Sequence, residues 1–400
     1  MTDFTTSAPL PEGLPTPDPD SAGHGRLVYD MLRDQVAASP DRMMPFDDWM
    51  HQALYAPGLG YYAAGSTKLG VDFTTAPELS PLFGLTLARQ IQQVLAACDA
   101  PNILEFGAGS GALAEAVLDG LQALGIDAHY TILEVSPDLR ERQQQRLEHF
   151  GDQVQWRDEV PDSFCGCVLA NEVLDAMPVK LFRFDQPSST TDAATAATQA
   201  PTLVEAMVGV NDAGHFTWRH RPAGVPLQEA VAARMPALPG YQSEINLQAE
   251  AWVRGMGQWL KQGAALLIDY GFPQREYYHP QRSQGTLMCH FRHHSHSDPL
   301  VLPGLQDITA HVDFTAMADA ALEGGLQVLG YTSQANFLLN ADLMVVLGES
   351  DQSPQHLSAV QKLLSEAEMG ELFKVLAIGT ELEVDYPLRG FTRNDRRHAL

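Results

Sequence analysis

Three observations predict an α/β fold around a doubly wound, mainly parallel sheet. Between Asn102 and Ala170, short apolar runs alternate with helical stretches, as expected of strands buried on both faces and covered by helices. A glycine-rich turn from Gly107 to Gly111 separates the first of those strands from its helix. A run that is apolar up to Asp269, Ala265–Tyr270, resumes the sheet far downstream, so an insertion is expected within it.

Residues 1–24 place Pro9, Pro11, Pro15, Pro17 and Pro19 among Asp, Ser and Thr, and are expected to form a disordered tail. Helical spacing runs from Leu27 to about His51 and ends before the Gly/Pro turn spanning Tyr55 to Tyr62. A second helix is expected from Thr75 to about Ala97. Thr75 and Glu78 have capping-box spacing there. Together these helices make an N-terminal helical extension over 25–100.

The core is expected to comprise 101–185 and 263–400. Its first strands are Ile103–Phe106, Tyr130–Val135, Val154–Trp156 and Cys167–Ala170, with helices over Leu113–Leu124 and Pro137–Phe150. Past Met177-Pro178, Val179–Phe184, Thr202–Val210 and Phe216–Arg219 read as strands of a meander, with a turn at Asn211–Gly214. An inserted β-rich and helical region is placed at 186–262. Its Ser/Thr/Ala/Gln-rich stretch Gln186–Ala200 is expected to be a mobile loop, and a helix over about Leu247–Gln262 leads back to the sheet. More helices follow, and Phe373–Ile378 suits an edge strand.

With 400 residues, 45% of them hydrophobic, the chain can bury a large core. Its 50 acidic and 25 basic residues give a formal charge of -25, which disfavours nucleic acid and would draw a basic partner. Four scattered cysteines, Cys98, Cys165, Cys167 and Cys289, form no disulfide framework and suit a reducing cytoplasm. The chain carries no apolar run long enough for a membrane helix, and its N-terminus has neither a secretory core nor transit-peptide character. His290, His293, His294, His296 and His311 with Cys289 lack the spacing of a recognised ligand set, so no metal is expected.

The chemistry begins at Glu105-Phe-Gly107-Ala-Gly109-Ser-Gly111. Backbone without Cβ atoms at a helix N-terminus lets a ligand approach closely. Gly107, Gly109 and Ala112 also satisfy G-x-G-x-x-A, and Glu134 after the second strand would meet ribose hydroxyls of either a dinucleotide or S-adenosyl-L-methionine. Glu105 favours the second ligand, since a carboxylate there suits an α-ammonium group and repels a pyrophosphate. Asp158, after the third strand, could accept from an adenine amino group or simply face solvent.

Asn171-Glu172-Val-Leu-Asp175 follows the fourth strand, at the carboxyl edge where such sheets bind ligands. Glu172 and Asp175 could hold a guanidinium by charge-assisted hydrogen bonds and align its nitrogen for methyl transfer. Equally, Asn171 or Asp175 could cap a short helix ending before Pro178.

The chain resembles the MidA-like family of class I, Rossmann-like methyltransferases, bacterial relatives of a mitochondrial complex I assembly-factor protein arginine methyltransferase. The matching stretches are Gly60-Tyr61-Tyr62, the run Asp72 to Gly84, Leu104 to Gly111, Glu134-Val-Ser-Pro137, Ala170 to Pro178, Ile268-Asp269-Tyr270-Gly271, Gly285-Thr-Leu287, Pro303-Gly304, Asp307 to Phe314, and Phe373 to Leu376. Met288-Cys289-His290 departs from the basic, aromatic stretch expected there. The resemblance implies that Thr75, Pro77 and Glu78 border the cofactor pocket, that Asn171 and Glu172 lie beside the methyl group, and that Asp307, His311 and Asp313 help form an acceptor cleft. It also implies a basic or arginine-containing protein acceptor; no membrane insertion is expected from the lack of a long apolar run, and a homodimer is left open.

Two rival functions fit the same residues: a dinucleotide oxidoreductase, favoured if NADH but not S-adenosyl-L-methionine quenches tryptophan fluorescence, and a non-catalytic assembly scaffold, favoured if cofactor-site mutants still function in cells.

Overall fold

The structure is a computed structural model describing residues 10–64, 75–98, 100–185, 201–380, 382 and 387–400. The stretch Gln186–Ala200 lies outside the described residues, as do residues 65–74. The chain divides into two compact units: residues 1–66, 176–248 and 274–310 form the first, and 67–175, 249–273 and 311–400 the second. This division differs from the expected one, because the strand at 180–185 joins the first unit and the helix at 82–98 the second.

In the first unit, α1 (Pro19–Ala38) starts on Asp18, whose side chain accepts from the amides of Asp20 and Ser21 at 3.1 and 3.0 Å. Leu10 and Leu14 pack against Phe291, Val301, Leu302 and Leu305. The expectation of a disordered tail over 1–24 therefore fails for residues 10–24: few apolar side chains suffice when each meets an apolar partner. The single helix expected from Leu27 to His51 is also broken, since Ser39-Pro40 ends α1. The short strand β1 (Met43–Pro45) and helix α2 (Phe46–Tyr55) follow.

β1 and β6 (Lys180–Asp185) share one edge of β7 (Thr202–Val210), β8 (Phe216–Pro222) pairs along the other, and β9 (Gln242–Ile245) adds to β6, all antiparallel. Phe46, Trp49 and Phe216 sit in the core between this sheet and the first helices. Helices α7 (Val225–Ala232) and α9 (Gln274–Tyr277) and the three-stranded sheet β12 (His294–His296), β11 (Met288–Phe291), β13 (Asp307–Thr309) complete the unit.

The second unit holds the parallel sheet. Its order is β15 (Gln327–Ser333), β16 (Phe373–Gly379), β10 (Leu260–Phe272), β5 (Phe164–Asn171), β2 (Asn102–Phe106), β3 (His129–Leu133), β4 (Val154–Arg157), with the short β14 (Val312–Asp313) on β10. β10, β5, β2, β3 and β4 run parallel, and β16 runs antiparallel between β10 and β15. The expected edge strand Phe373–Ile378 is thus interior. Every residue of β16 is buried, as a strand covered on both faces requires.

Helices α3 (Ala76–Leu79), α4 (Leu82–Cys98), α5 (Ala112–Ala123), α6 (Pro137–Leu147), α8 (Leu247–Trp259, most of it in this unit), α10 (Phe314–Glu323), α11 (Gln334–Asn340), α12 (Leu343–Glu349) and α13 (Pro354–Leu364) accompany the sheet. Beyond β16, the last residues run beside β15. Phe391 stacks where a Cβ on Gly330 would lie 2.3 Å from its ring, Arg396 N–H donates to Tyr331 O at 2.6 Å, and Thr332 Oγ1 donates to Asn394 O at 2.8 Å.

Candidate cofactor and active site

The strands stay parallel but the order in which they join the sheet reverses at β2: β3 and β4 lie on one side of it and β5 on the other. The loops after β2 and β5 therefore diverge at their carboxyl ends and open the crevice where α/β sheets take ligands. They stay close, since a Cβ on Gly107 would lie 3.5 Å from Val173 Cγ2.

The turn after β2 holds Gly107, Gly109 and Gly111 at φ of 61°, 54° and 85°. At Gly109 an added Cβ would meet nothing within 4 Å, so the turn presents bare backbone to open space just before α5. That is the cradle an anionic or polar ligand needs at a helix N-terminus.

Glu105 ends the buried part of β2 and is 2% exposed. Its carboxylate accepts from Tyr130 Oη at 2.9 Å. Burial pushes its pKa up to about 8, with a smaller upward push from Glu134, against the Tyr130 hydrogen bond. Glu134, just past β3, accepts from Ser136 N–H and from Gln143 Nε2, each at 2.9 Å. Its pKa is raised by burial, opposed by those donors. The next residue, Val135, is 75% exposed and offers an apolar face at the strand end.

Thr75 stands at the N-cap of α3 but makes no capping hydrogen bond, and Glu78 instead accepts from Ser110 Oγ of the glycine turn. The capping-box expectation is corrected: Ser80 stops α3 after one turn, and Glu78 is spent on the loop. Pro77 is the second residue of α3. Asp158, past β4, is largely exposed and pairs with Arg140 at 2.5 Å.

After β5, Asn171 Nδ2 donates to Glu172 Oε1 at 3.0 Å, and Glu172 holds a φ of 54°, unusual for a side-chain-bearing residue. No short helix follows, so Asn171 and Asp175 are not helix caps; residues 172–177 turn. The turn is fastened by Asp269 at the end of β10, whose Oδ2 accepts from the amides of Leu174 and Asp175 at 3.0 and 3.2 Å and whose Oδ1 accepts from Tyr270 N–H at 2.9 Å. Burial raises the pKa of Asp269 well above the usual carboxylate range, and the charges of Asp175 and then Glu172 push it further.

Asp269 stands in the sequence only as part of the matching stretch Ile268-Asp269-Tyr270-Gly271, with no role assigned, and Gln143 is not singled out at all. Asp269 lies 94 and 95 residues from the amides it holds, so spacing carries no signal of the contact.

The expected acceptor residues are placed differently. Asp307 belongs to the first unit, on β13, and accepts from Tyr62 Oη at 2.7 Å. His311 and Asp313 belong to the second. His311 packs edge-on to Tyr270, with ring centroids 5.1 Å apart, and Asp313 caps α10 through Thr315 and Ala316 N–H at 3.1 and 3.2 Å. Among the described residues, no group of three or more His, Cys, Asp and Glu side chains could hold a metal.

A strand, a glycine turn with open space before it, and an acid at the end of the neighbouring strand define a protein that takes an adenosine-bearing cofactor at its sheet's switch point. Residues 86–332 match a family of S-adenosyl-L-methionine-dependent methyltransferases, and the chain belongs to that family. It is 28% identical to the mitochondrial protein arginine methyltransferase NDUFAF7 homolog of Drosophila melanogaster, covering 93% of this chain and 90% of that one. It is also 28% identical to the Danio rerio protein arginine methyltransferase NDUFAF7, covering 83% and 82%.

A crystal structure of a Burkholderia thailandensis protein bound to S-adenosyl-homocysteine is 44% identical, with a TM-score of 0.89 over 97% of this chain and 100% of that one. The MidA-like resemblance, the class I methyltransferase fold and S-adenosyl-L-methionine as cofactor are thereby established. The dinucleotide reading of the glycine turn gives way.

Proposed function

We propose that the enzyme methylates an arginine side chain of a protein acceptor. The observation that carries this reading is the cluster of Glu172, Asp175 and Asp269 at the carboxyl ends of β5 and β10, whose mutual repulsion helps raise the pKa of Asp269. A guanidinium entering there relieves that repulsion and receives charge-assisted hydrogen bonds. Relatives named protein arginine methyltransferases support the same choice, as does the formal charge of -25, which attracts basic segments.

In this reading the backbone of Gly107, Gly109 and Gly111 receives the cofactor, Glu134 takes its ribose hydroxyls, and Glu105 offers a carboxylate toward its α-ammonium. Val135 gives the adenine an apolar face, while Asp158 reaches the amino edge of the base only by sharing Arg140. Thr75, Pro77 and Glu78 border the pocket. The cofactor supplies an electrophilic methyl group. Glu172, steadied by Asn171, orients the attacking nitrogen, and Asp175 accepts from the rest of the guanidinium. Alignment of nucleophile and methyl carbon supplies most of the rate; as the nitrogen–methyl bond forms, S-adenosyl-homocysteine is the leaving group, and the proton that the nitrogen loses passes to the Glu172 carboxylate.

Incubation of the enzyme with radiolabelled S-adenosyl-L-methionine and arginine-rich protein, followed by acid hydrolysis, tests the proposal. Label in methylarginine, lost in Glu172→Gln, is expected. Label confined to lysine or to other residues overturns arginine as acceptor. A cytoplasmic site of action, read from cysteine usage, is proposed alongside, and cell fractionation checks it against the mitochondrial location of the named relatives.

A further inference from the structure

Gln143 sits on α6 in the polar run Glu141-Arg-Gln-Gln-Gln-Arg146, yet it is fully buried. Its amide is wholly engaged. Nε2 donates to Gly109 O at 2.9 Å and to Glu134 Oε2 at 2.9 Å, while Oε1 accepts from Trp156 Nε1 of β4 at 3.0 Å. Reversing the amide would set N–H against N–H and oxygen against oxygen, so the three contacts fix its orientation.

Gly109 and Glu134 lie on different arms of the cofactor site, one in the turn after β2 and the other beyond β3. Gln143 bonds to both at once. Because Ser136 N–H holds the other oxygen of Glu134, with a further backbone donor from Val135, both oxygens of that carboxylate are held in place. A carboxylate held in this way loses little rotational freedom when a ligand binds.

We infer that Gln143 is a positioning residue for cofactor binding: it sets the glycine turn and Glu134 at a fixed separation, and Trp156 keys its amide. The inference rests on the reading that Glu134 takes the ribose hydroxyls. It concerns neither the acceptor nor the methyl group.

The test is isothermal titration with S-adenosyl-homocysteine of wild type, Glu134→Gln, Gln143→Met, the double variant and Trp156→Phe. Gln143→Met is expected to weaken binding about tenfold. The double variant is expected to bind within about threefold of Glu134→Gln alone, because fixing the separation matters only while Glu134 is there to be placed, and the bond to Gly109 O accounts for the small remainder. Trp156→Phe keeps the ring and removes the donor, and should weaken binding roughly threefold.

The pH profile gives a second readout that a general loss of packing would not move. Glu134 faces Gln143 and Arg140 from α6 and Glu105 from β2. Loss of the Gln143 donor removes support for its ionised form, so the pH below which binding falls off moves upward in Gln143→Met.

Unchanged binding by Glu134→Gln would remove the ribose reading on which the inference stands. Weakened Glu134→Gln with wild-type binding by Gln143→Met, or penalties that add in full in the double variant, would overturn the role of Gln143. Should Gln143→Met not fold, Trp156→Phe decides, and wild-type affinity with an unmoved pH profile in that variant overturns the inference.

Discussion

Replacing Glu105 by Gln separates the cost of burying a carboxylate from everything else in the glycine turn. Folding raises the pKa of Glu105 from its ordinary 4.5 to about 8, chiefly through burial. Between those values the folded chain keeps a proton that the unfolded chain has released, so stability falls as pH rises through the window. Each pH unit is worth about 1.4 kcal/mol, and the whole window roughly 5 kcal/mol, against wild type.

Gln has nearly the same shape, can still accept from Tyr130, and does not titrate. Asp269, another raised carboxyl, contributes to both proteins and cancels in the difference, and the small repulsion between Glu105 and Glu134 is lost with the Glu105 charge. Urea denaturation at pH 4.5 to 8.5 should therefore show the variant close to wild type at the acid end and more stable by several kcal/mol at the alkaline end. Saturating S-adenosyl-homocysteine should flatten the wild-type slope if its α-ammonium meets Glu105 and holds it ionised. A difference that does not vary with pH would refute the account of Glu105, and a slope untouched by ligand would detach it from the cofactor.

Gly109→Ala places a methyl group in the open space before the turn at a φ of 54°. It should cost about 1 kcal/mol in stability yet weaken S-adenosyl-homocysteine binding more than tenfold by titration calorimetry. Glu172→Gln should lower kcat/KM for a guanidinium-bearing acceptor by roughly ten- to a hundredfold and leave cofactor affinity unchanged. Asp269→Asn loosens the turn over residues 172–177, so methyl transfer should slow about tenfold while S-adenosyl-homocysteine binding stays near wild type. Gly330→Val drives a side chain into the ring of Phe391, 2.3 Å from the Cβ position, and should lower the melting temperature by several degrees, which calorimetry would register.

The sequence made the parallel strands legible because they are buried on both faces and read as short, nearly continuous apolar runs. β15 carries no such signal: Gly330 interrupts it and its ends are polar, so neither alternation nor an apolar run marks it. The apolar run of β16, last in the chain, suits an edge strand by sequence, although position in the chain says nothing of position in the sheet.

Gly107 to Gly111 and Glu134 could be found because their chemistry is local. Gln143 could not, since a buried amide among charged neighbours on a helix looks like part of a solvated face. The N-terminal prolines suggested disorder, but Asp18 and two leucines anchor that stretch by contacts that composition cannot reveal.

The residues running beside β15 have a further consequence for how the protein behaves in a crowded solution. β15 is the outermost strand of the large sheet, and Tyr331 O and the Thr332 hydroxyl are already engaged by Arg396 and Asn394. At the opposite margin β4 is four residues long. A stray extended chain would therefore find one margin occupied by the molecule's own last residues and the other too short to template a growing ribbon. Removing residues 389–400 would uncover β15, and light scattering of the shortened protein on warming would reveal the ladder growth that the intact chain resists.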